Sequence, residues 1–352
     1  MERKLILEDG TVLTGQGFGS SEGKVLEIVF NTSMVGYQEI LSDPSYTDQA
    51  VVMTYPLIGN YGMAEADYET RIPTIGALIV REYNDMPSNY RSSQNLRSVM
   101  EQYGICGIEG VDTRRLTRHI RDHGSGKVLL TDAATPIEEG LQRLRRTELP
   151  HTAVSRVSRI DVEEIPGKGP HIVLIDCGAK ENIVRSLVRR GARVTIVPWK
   201  MPSDRILARR PDGVLISNGP GDPIDVPETI QTVKELIGKA PLFGICLGHQ
   251  ILSLAYGAST YKLKFGHRGG NHPVKDLRTG RIEITSQNHS YAVDAESLRR
   301  TPLQITHINL LDQTVEGVSC EKDRAFSVQY HPESAPGPED SGYLFDRFLE
   351  RL

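Results

Sequence analysis

The pattern of hydrophobic and polar positions differs between the first and second halves of the chain. In the first half, short apolar runs are separated by turn residues, which is typical of strands, and Asp9-Gly10 suits the positive φ angles of a tight hairpin turn. Two helices are predicted there, one from residue 112 or 113 to 121 and one from 136 towards 146. The predicted strands are residues 5–7, 11–14, 25–30, 49–54 and 75–80. This half therefore predicts a β-rich α/β domain.

From residue 171 onwards, predicted strands alternate with predicted helices. Such alternation indicates a mostly parallel, doubly wound sheet with helices on both faces, in which ligands bind at the carboxyl ends of the strands. The strands are predicted at 171–176, 194–198, 213–217 and 242–245. The helices are predicted at 181–190, 228–238 and 249–256. The fold class is therefore α/β.

The stretch between the two patterns has weak apolar periodicity. It ends in Pro166-Gly167-Lys168-Gly169-Pro170, which resists both helix and strand. We therefore expect an N-terminal domain over residues 1–150, a linker over 151–170 and a second domain over 171–352.

Composition and charge exclude several classes of protein. The 352 residues are 38% hydrophobic and 24% charged, with a net charge of −4, so no electrostatic attraction to nucleic acid or an anionic membrane is expected. The long uncharged stretch at 240–261 contains His249-Gln250 at its centre, which argues against a membrane span. No signal peptide is visible and the four cysteines lie far apart, so we expect a reduced, cytoplasmic protein.

Motifs for phosphate and metal binding are incomplete. The glycines at 15, 17 and 19 lack dinucleotide-binding spacing, and Gly-Lys-Val at 23–25 and 126–128 lacks the full phosphate loop. His267 and His272 have a spacing seen in zinc sites, but without cysteine or carboxylate ligands nearby in the sequence a structural loop is favoured. The arginines at 114, 115, 118 and 121 favour a solvated or subunit-facing helix surface.

The segment Gly244-Ile245-Cys246-Leu247-Gly248 carries the strongest chemical signal. A buried strand leads into Gly-x-Cys-x-Gly and a helix follows at once, which is the nucleophile-elbow pattern with sulfur in place of a hydroxyl. The positive end of that helix favours the reactive thiolate. We therefore expect Cys246 to be a nucleophile, and Cys106, Cys177 and Cys320 to be buried as small hydrophobic side chains.

The base for this nucleophile is expected in His331-Pro332-Glu333. The proline keeps the backbone extended, so the side chains of His331 and Glu333 emerge on one side and the carboxylate can orient the imidazole. His249 is a rival base, but it lies inside the helix and no carboxylate follows it. The loop Ser217-Asn218-Gly219-Pro220-Gly221 follows another strand, and the N–H groups of Gly219 and Leu247 could form an oxyanion hole.

These C-terminal motifs, in this order and spacing, resemble those of the class I (triad) glutamine amidotransferases. Strings in the first half are similar to the small (glutaminase) chains of carbamoyl-phosphate synthase, so the resemblance covers essentially the whole chain. They are residues 30–41, Asp43-Pro44-Ser45-Tyr46, Thr54-Tyr55-Pro56 with Gly59-Asn60, and 110–114.

The resemblance implies that the chain hydrolyses glutamine and passes ammonia to a large ATP-using chain that makes carbamoyl phosphate from bicarbonate. It implies Cys246 as nucleophile, His331 as general base and acid, and Glu333 as its orienter. Related chains usually have Gly-Phe where this one has Ser290-Tyr291. Ser290 and Tyr291 can bind glutamine if the contacts are made by their backbone. They cannot replace Gly-Phe if the loop needs glycine at a positive φ. The implied glutamine-binding residues are Ser45, Gly219, Gly221, Leu247, Gln250, Asn288, Ser290 and Tyr291.

The resemblance implies no metal or other cofactor on this chain, with ATP and magnesium on the large-chain partner. Nucleic acid and membrane are not expected as partners. Two alternatives remain: a glutaminase subunit of another synthetase, and a non-catalytic regulatory subunit, which should lack a triad residue. The resemblance leaves open whether the product serves arginine or pyrimidine synthesis.

Overall fold

A computed structural model describes all 352 residues. The chain divides into two compact units, Met1–Pro150 and His151–Leu352. Each unit has its own hydrophobic core, and each is described by itself below.

The N-terminal unit is built from strands, with four helices between them. Short 3₁₀ turns join some of these elements, including the one at Pro44–Tyr46 that carries Ser45. The strands are β1 (Glu2–Leu7), β2 (Val12–Gly19), β3 (Lys24–Asn31), β4 (Gln49–Met53), β5 (Leu57–Ile58), β6 (Ala77–Ile79), β7 (Glu82–Tyr83), β8 (Cys106–Glu109) and β9 (Lys127–Asp132). The helices are α1 (Tyr37–Ser42), α2 (Leu96–Gln102), α3 (Thr113–His123) and α4 (Ile137–Arg146).

Seven of these strands close into a barrel in the order β1-β2-β8-β6-β4-β3-β9. The predicted hairpin is present: Gly10 has a φ of +88° at the turn between β1 and β2, which glycine adopts without strain. Helix α4 packs Leu144 against Ile6 and Leu129 of the barrel wall. The prediction of a β-rich α/β unit is confirmed, but the closure of its strands into a barrel was not predicted.

The C-terminal unit contains one large sheet with helices on both faces. Its strands are β10 (Glu163–Ile165), β11 (His171–Asp176), β12 (Arg193–Pro198), β13 (Gly213–Ile216), β14 (Leu242–Ile245), β15 (Thr260–Asp276), β16 (Ile282–Val293), β17 (Gln304–Asn309), β18 (Val315–Cys320) and β19 (Ala325–Val328). Its helices are α5 (Ala153–Val157), α6 (Glu181–Arg189), α7 (Ser203–Leu207), α8 (Pro227–Leu236), α9 (Leu247–Ala255), α10 (Ala295–Leu298) and α11 (Tyr343–Leu349).

The strand order in this sheet is β10-β12-β11-β13-β14-β19-β18-β17-β15-β16. Strands β12, β11, β13, β14 and β19 run parallel, whereas β18, β17, β15 and β16 extend the sheet in antiparallel fashion. Alternate residues of the buried strands enter two separate cores, so Val214 and Ile216 face one and Leu215 faces the other. The α/β class and the alternation of strands and helices are as expected, but the sheet is mixed rather than mostly parallel, because β10 and the long hairpin strands after α9 pair antiparallel.

The segment expected to be a linker is part of this unit. Residues 151–170 contain helix α5 and the edge strand β10, which pairs antiparallel with β12. Arg159 anchors the segment, because its guanidinium lies 3.1 Å from Asp176 and 2.7 Å from Glu181. Because polar contacts hold this segment, its sequence lacks the apolar periodicity from which a helix or strand is predicted.

The uncharged stretch at 240–261 forms strand β14 and helix α9 of the sheet unit. None of the helices combines the length and the apolar character that a membrane-spanning segment requires.

Candidate active site

Cys246 lies at a sharp turn between β14 and α9, with a φ of 53° and a ψ of −104°. Few residues other than glycine adopt such a conformation, and it is held here by the close packing of the flanking glycines. A Cβ atom on Gly244 would lie 2.5 Å from the carbonyl oxygen of Gly248, and one on Gly248 would lie 2.2 Å from that of Ile216. The geometry is that of a nucleophile elbow.

Cys246 is only 2% exposed, and its thiol has two polar neighbours besides His331. Its Sγ lies 3.6 Å from the backbone oxygen of Asn288 and 3.6 Å from Nε2 of Gln329. The Gln329 amide is itself oriented, since its Oε1 accepts a hydrogen bond from Gln250 at 3.0 Å. The Cys246 thiol therefore lies in an enclosed, hydrogen-bonded environment rather than in an apolar core.

His331 and Glu333 lie close together, as their spacing predicts. Nδ1 of His331 is 2.6 Å from Oε1 of Glu333, while its buried Nε2 makes no hydrogen bond. Nζ of Lys180 lies 3.1 Å from Oε1 of Glu333 and forms an ion pair with it, and Lys180 is only 2% exposed. The imidazole is therefore oriented by a carboxylate that is itself paired with a buried ammonium group.

Charge sets the protonation of this group of side chains. Burial lowers the pKa of His331, but Glu333 and then Cys246 outweigh it and raise that pKa to about 10. Burial raises the pKa of Glu333, but Lys180 and then His331 lower it to about 2. At neutral pH the site therefore contains an imidazolium between a carboxylate and the thiol of Cys246.

His249 has a different environment. It is completely buried in α9, and its Nδ1 is hydrogen-bonded to the hydroxyl of Ser327 at 2.9 Å. Burial, and then the neighbouring His307, lower its pKa to about 3. It is therefore a neutral histidine in the packing beneath the elbow.

The two proposed oxyanion donors are adjacent. A Cβ on Gly219 would lie 2.8 Å from Cδ2 of Leu247 and 2.2 Å from the oxygen of Cys177, so glycine is needed there for close approach. Leu247 is the first residue of α9, and its N–H therefore has no partner within the helix. Gly221, with a φ of +88°, lines a cavity of about 320 Å³ beside Trp199.

The other predicted glutamine-binding residues divide between the two units. Asn288 contacts Cys246 directly, and Gln250 reaches it through Gln329. Nε2 of Gln250 also donates to the backbone oxygen of Tyr291 at 2.9 Å. Ser290 does not have a positive φ, so its conformation needs no glycine. Ser45 belongs to the N-terminal unit, where its N–H donates to Asp43 at 2.8 Å.

Sequence reasoning missed two contributors to this site, Lys180 and Gln329. Gln329 stands two residues before His331 and four before Glu333, so the period of two along an extended chain was a usable signal. Lys180 follows the carboxyl end of β11, the edge of the sheet where ligands are expected, but its pairing with Glu333 joins loops 153 residues apart. No local pattern encodes such a contact.

A buried polar cluster adjoins the site. His267, His289 and Glu316 place possible metal-ligand atoms within 4.8 Å of one another. Gln287 Oε1 lies 2.9 Å from His289 and its amide donates to Glu316, while Asn309 bridges Glu316 and His267. Amide groups thus satisfy the positions that a cation would use. No carboxylate lies near His267 in the sequence, but the fold brings two close to it: Asp312 at 2.8 Å and Glu316 at 3.6 Å.

Comparison with known proteins agrees with this geometry. Residues 173–351 match the class I glutamine amidotransferase family, and residues 5–130 match the small-chain domain of carbamoyl-phosphate synthase. The chain is 52% identical to the carbamoyl phosphate synthase small chain of Oceanobacillus iheyensis over 351 residues, covering 100% of this chain and 96% of that one. The chain belongs to the family of carbamoyl-phosphate synthase small chains.

Other members of this family are similar over the same length. The pyrimidine-specific small chain of Bacillus subtilis is 51% identical over 352 residues, covering 100% of this chain and 96% of that one. Among solved structures, a glutamine amidotransferase from Thermotoga maritima is 18% identical with a TM-score of 0.39, covering 47% of this chain and 76% of that chain.

Proposed function

We propose that this chain hydrolyses glutamine to glutamate and ammonia through a thioester on Cys246. It delivers the ammonia to a large ATP-dependent chain that makes carbamoyl phosphate from bicarbonate. The observation that carries the proposal is the environment of Cys246: a thiol on a strained elbow beside an imidazole whose other nitrogen is held by Glu333. Membership of the small-chain family supports the identity of the synthetase.

The residues around Cys246 suggest a role for each group in the successive steps of the hydrolysis. The Cys246 thiolate attacks the side-chain amide carbon of glutamine, and the developing oxyanion is stabilised by the N–H groups of Gly219 and Leu247. His331 is already protonated, so it can give its proton to the departing ammonia. The neutral imidazole then removes a proton from the water that hydrolyses the thioester, which restores the imidazolium.

Glutamine would be held around this centre by the residues that surround the thiol. Gln250, Asn288, Ser290 and Tyr291 provide amide and backbone groups from α9 and β16, and Gly221 provides its backbone after β13. Ser45, which belongs to the N-terminal unit, is also proposed as a glutamine-binding residue. The hydrolysis needs no metal or organic cofactor on this chain, and ATP and magnesium are assigned to the large chain.

The two alternatives have less support. A non-catalytic regulatory subunit would have no need for the buried pairing of His331 with Glu333, which costs desolvation of both groups. A glutaminase serving a different synthetase would not need the domain at residues 5–130 that matches carbamoyl-phosphate synthase small chains.

A steady-state glutaminase assay of the Cys246→Ala variant tests this function. Glutamine hydrolysis should fall to background, because no other residue can form the thioester, whereas ammonia-dependent synthesis by the chain assembled with its large partner should persist. Cys320→Ala is the matched control, since it removes a buried free thiol on β18 and should retain activity. Substantial hydrolysis by pure Cys246→Ala protein would refute the assignment.

A further inference from the structure

One hydrogen bond beside the nucleophile joins two side chains that the proposed reaction does not use. Nη2 of Arg268 on β15 donates to the hydroxyl of Ser290 on β16 at 2.5 Å. Arg268 is only 3% exposed, and Ser290 is half-buried. A hydrogen bond from a charged donor in such an enclosed place is among the stronger kinds in proteins.

Ser290 lies on β16 between two backbone carbonyls that belong to the hydrogen-bond network around the thiol. The carbonyl of Asn288 lies 3.6 Å from Cys246 Sγ on one side of it. On the other side, the carbonyl of Tyr291 accepts from Gln250 at 2.9 Å and from Nδ1 of His289 at 2.7 Å. Residue 290 lies in the chain between these two carbonyls, so a restraint on the Ser290 side chain limits the movement of this stretch of the pocket wall.

The backbone at Gly266 leaves the space that the Arg268 side chain occupies. Gly266 has a φ of +71°, and a Cβ there would lie 2.3 Å from Nη1 of Arg268 and 2.5 Å from the backbone oxygen of His289. Nη1 donates to the oxygen of Phe265 at 2.9 Å, which fixes the plane of the guanidinium. The β15–β16 register is irregular between Lys262 and His267, immediately before Arg268. The guanidinium is therefore held in one orientation, directed at Ser290.

We propose that Arg268 is a positioning residue for glutamine, acting through the Ser290 hydroxyl to fix the backbone of residues 290 and 291 beside Cys246. This inference rests on the proposed glutaminase function and adds to it a determinant of substrate affinity. Arg268 reaches the pocket wall through another side chain, so its effect is on how well glutamine is held. Such an effect appears in KM more than in kcat, because the nucleophile and His331 are unchanged.

The test compares Ser290→Ala with Ser290→Thr in the full-length chain. Removing the hydroxyl should raise the glutamine KM about 5- to 10-fold with kcat within about 2-fold, whereas threonine keeps the acceptor and should restore KM. Arg268→Gln should raise KM similarly, and the double variant Arg268→Gln with Ser290→Ala should be no worse than Arg268→Gln alone. If Arg268→Gln does not fold, the two Ser290 variants decide the question by themselves.

Ser297→Ala is the control, because it removes another half-buried hydroxyl, bonded to Asp294, beyond the end of β16, and should leave KM unchanged. Glutamine binding to Cys246→Ala protein, measured by calorimetry with and without Ser290→Ala, gives an arm that needs no catalysis. An unchanged KM and affinity in Ser290→Ala would overturn the positioning role. A chain that binds glutamine without hydrolysing it would overturn the proposed function instead, and absence of binding would overturn both.

Discussion

The two histidines nearest Cys246 in the chain and in the fold differ in what their ring nitrogens contact. His331 is held by Glu333 through Nδ1, which leaves Nε2 for the proposed proton transfers, whereas His249 is neutral and bonded to Ser327. We predict that His331→Asn lowers glutaminase kcat on the order of 10²-fold or more. His249→Asn should mainly weaken glutamine binding or assembly. Steady-state kinetics of both variants would contradict this division if kcat fell equally with KM unchanged.

Lys180 provides a prediction about pH, because it is the largest favourable influence on the Glu333 carboxylate. With Lys180 present the pKa of Glu333 is lowered to about 2, so the carboxylate stays ionised throughout the working range. In Lys180→Gln the pKa of Glu333 should rise, and protonation would then release His331. The acid limb of the kcat/KM profile should therefore move to higher pH than in the wild-type protein.

The ion pair between Lys180 and Glu333 also predicts how the stability of the folded state depends on pH. A carboxyl with a lowered pKa stabilises the folded state above its unfolded pKa, and this contribution is lost as pH falls through the folded value. Lys180→Gln should lose that contribution at a higher pH, so its thermal unfolding temperature should fall earlier on acidification. Exposed Lys200, paired with Glu228, provides the control variant Lys200→Gln. Identical pH profiles for Lys180→Gln and wild type would contradict the role of Lys180.

The predictability of individual site residues follows from how far apart their partners lie in the chain. Cys246 and its glycines, and His331 with Glu333, form local patterns whose geometry follows from a turn or an extended strand. Lys180 could not be predicted, because its partner belongs to another strand-end loop. The hydrogen bond between Ser290 and Arg268 depends on the register of a long hairpin with bulges, which sequence patterns do not specify.

At the scale of the element, the elbow depends on two glycines that let α9 approach the sheet. We predict that Gly248→Ala destabilises the fold by about 2 kcal/mol or more, since the new methyl group would meet the backbone oxygen of Ile216 at 2.2 Å. Chemical denaturation of the purified variant gives the free energy of unfolding. Gly342→Ala is the control: its φ is −56° and the nearest atom to a Cβ lies at 3.5 Å. Equal stability of both variants would show that the elbow can relax.

Elements were predictable where burial alone sets the pattern. Strands β11 and β14 are present over the predicted residues because each is a continuous apolar run buried on both faces. Strands β15 and β16 are polar over much of their length and were not predicted as strands, although 17 and 12 residues long. Polar side chains of these strands form part of the wall near Cys246. Because polar residues occupy these positions, the strands lack the hydrophobic pattern from which they could be predicted.

At the scale of the whole molecule, the chain has a complete set of candidate hydrolytic groups but no phosphate-binding loop in its sequence. In the proposed function, ammonia is released on this chain and is used in an ATP-dependent synthesis on the large chain. Uncoupled hydrolysis would waste glutamine, so we expect the site to respond to the large chain. Docking should favour the geometry in which thiol, imidazole and oxyanion donors align.

The arginine face of α3 is a candidate docking surface for that response. Arg114, Arg118 and Arg121 line a cavity of about 430 Å³ together with Thr54 and Thr117 in the N-terminal unit. Arg114 and Arg118 are exposed on a helix whose buried side is formed by Leu116 and Ile120. Such a charged face would favour an acidic surface on the partner and would make association weaken with added salt.

We therefore predict that glutaminase turnover of the isolated chain is slow and rises when the large chain, ATP and bicarbonate are added. Arg114→Glu with Arg118→Glu should reduce that stimulation and weaken association, because like charges would then face the partner, yet leave hydrolysis by the isolated chain unchanged. Arg145→Glu with Arg146→Glu, both exposed on α4, is the charge-matched control. Steady-state assays with and without the partner measure the stimulation, and sedimentation measures association. Full turnover of the isolated chain with no change on adding the partner would refute coupling. Normal stimulation of the double variant would show that the docking surface does not include α3.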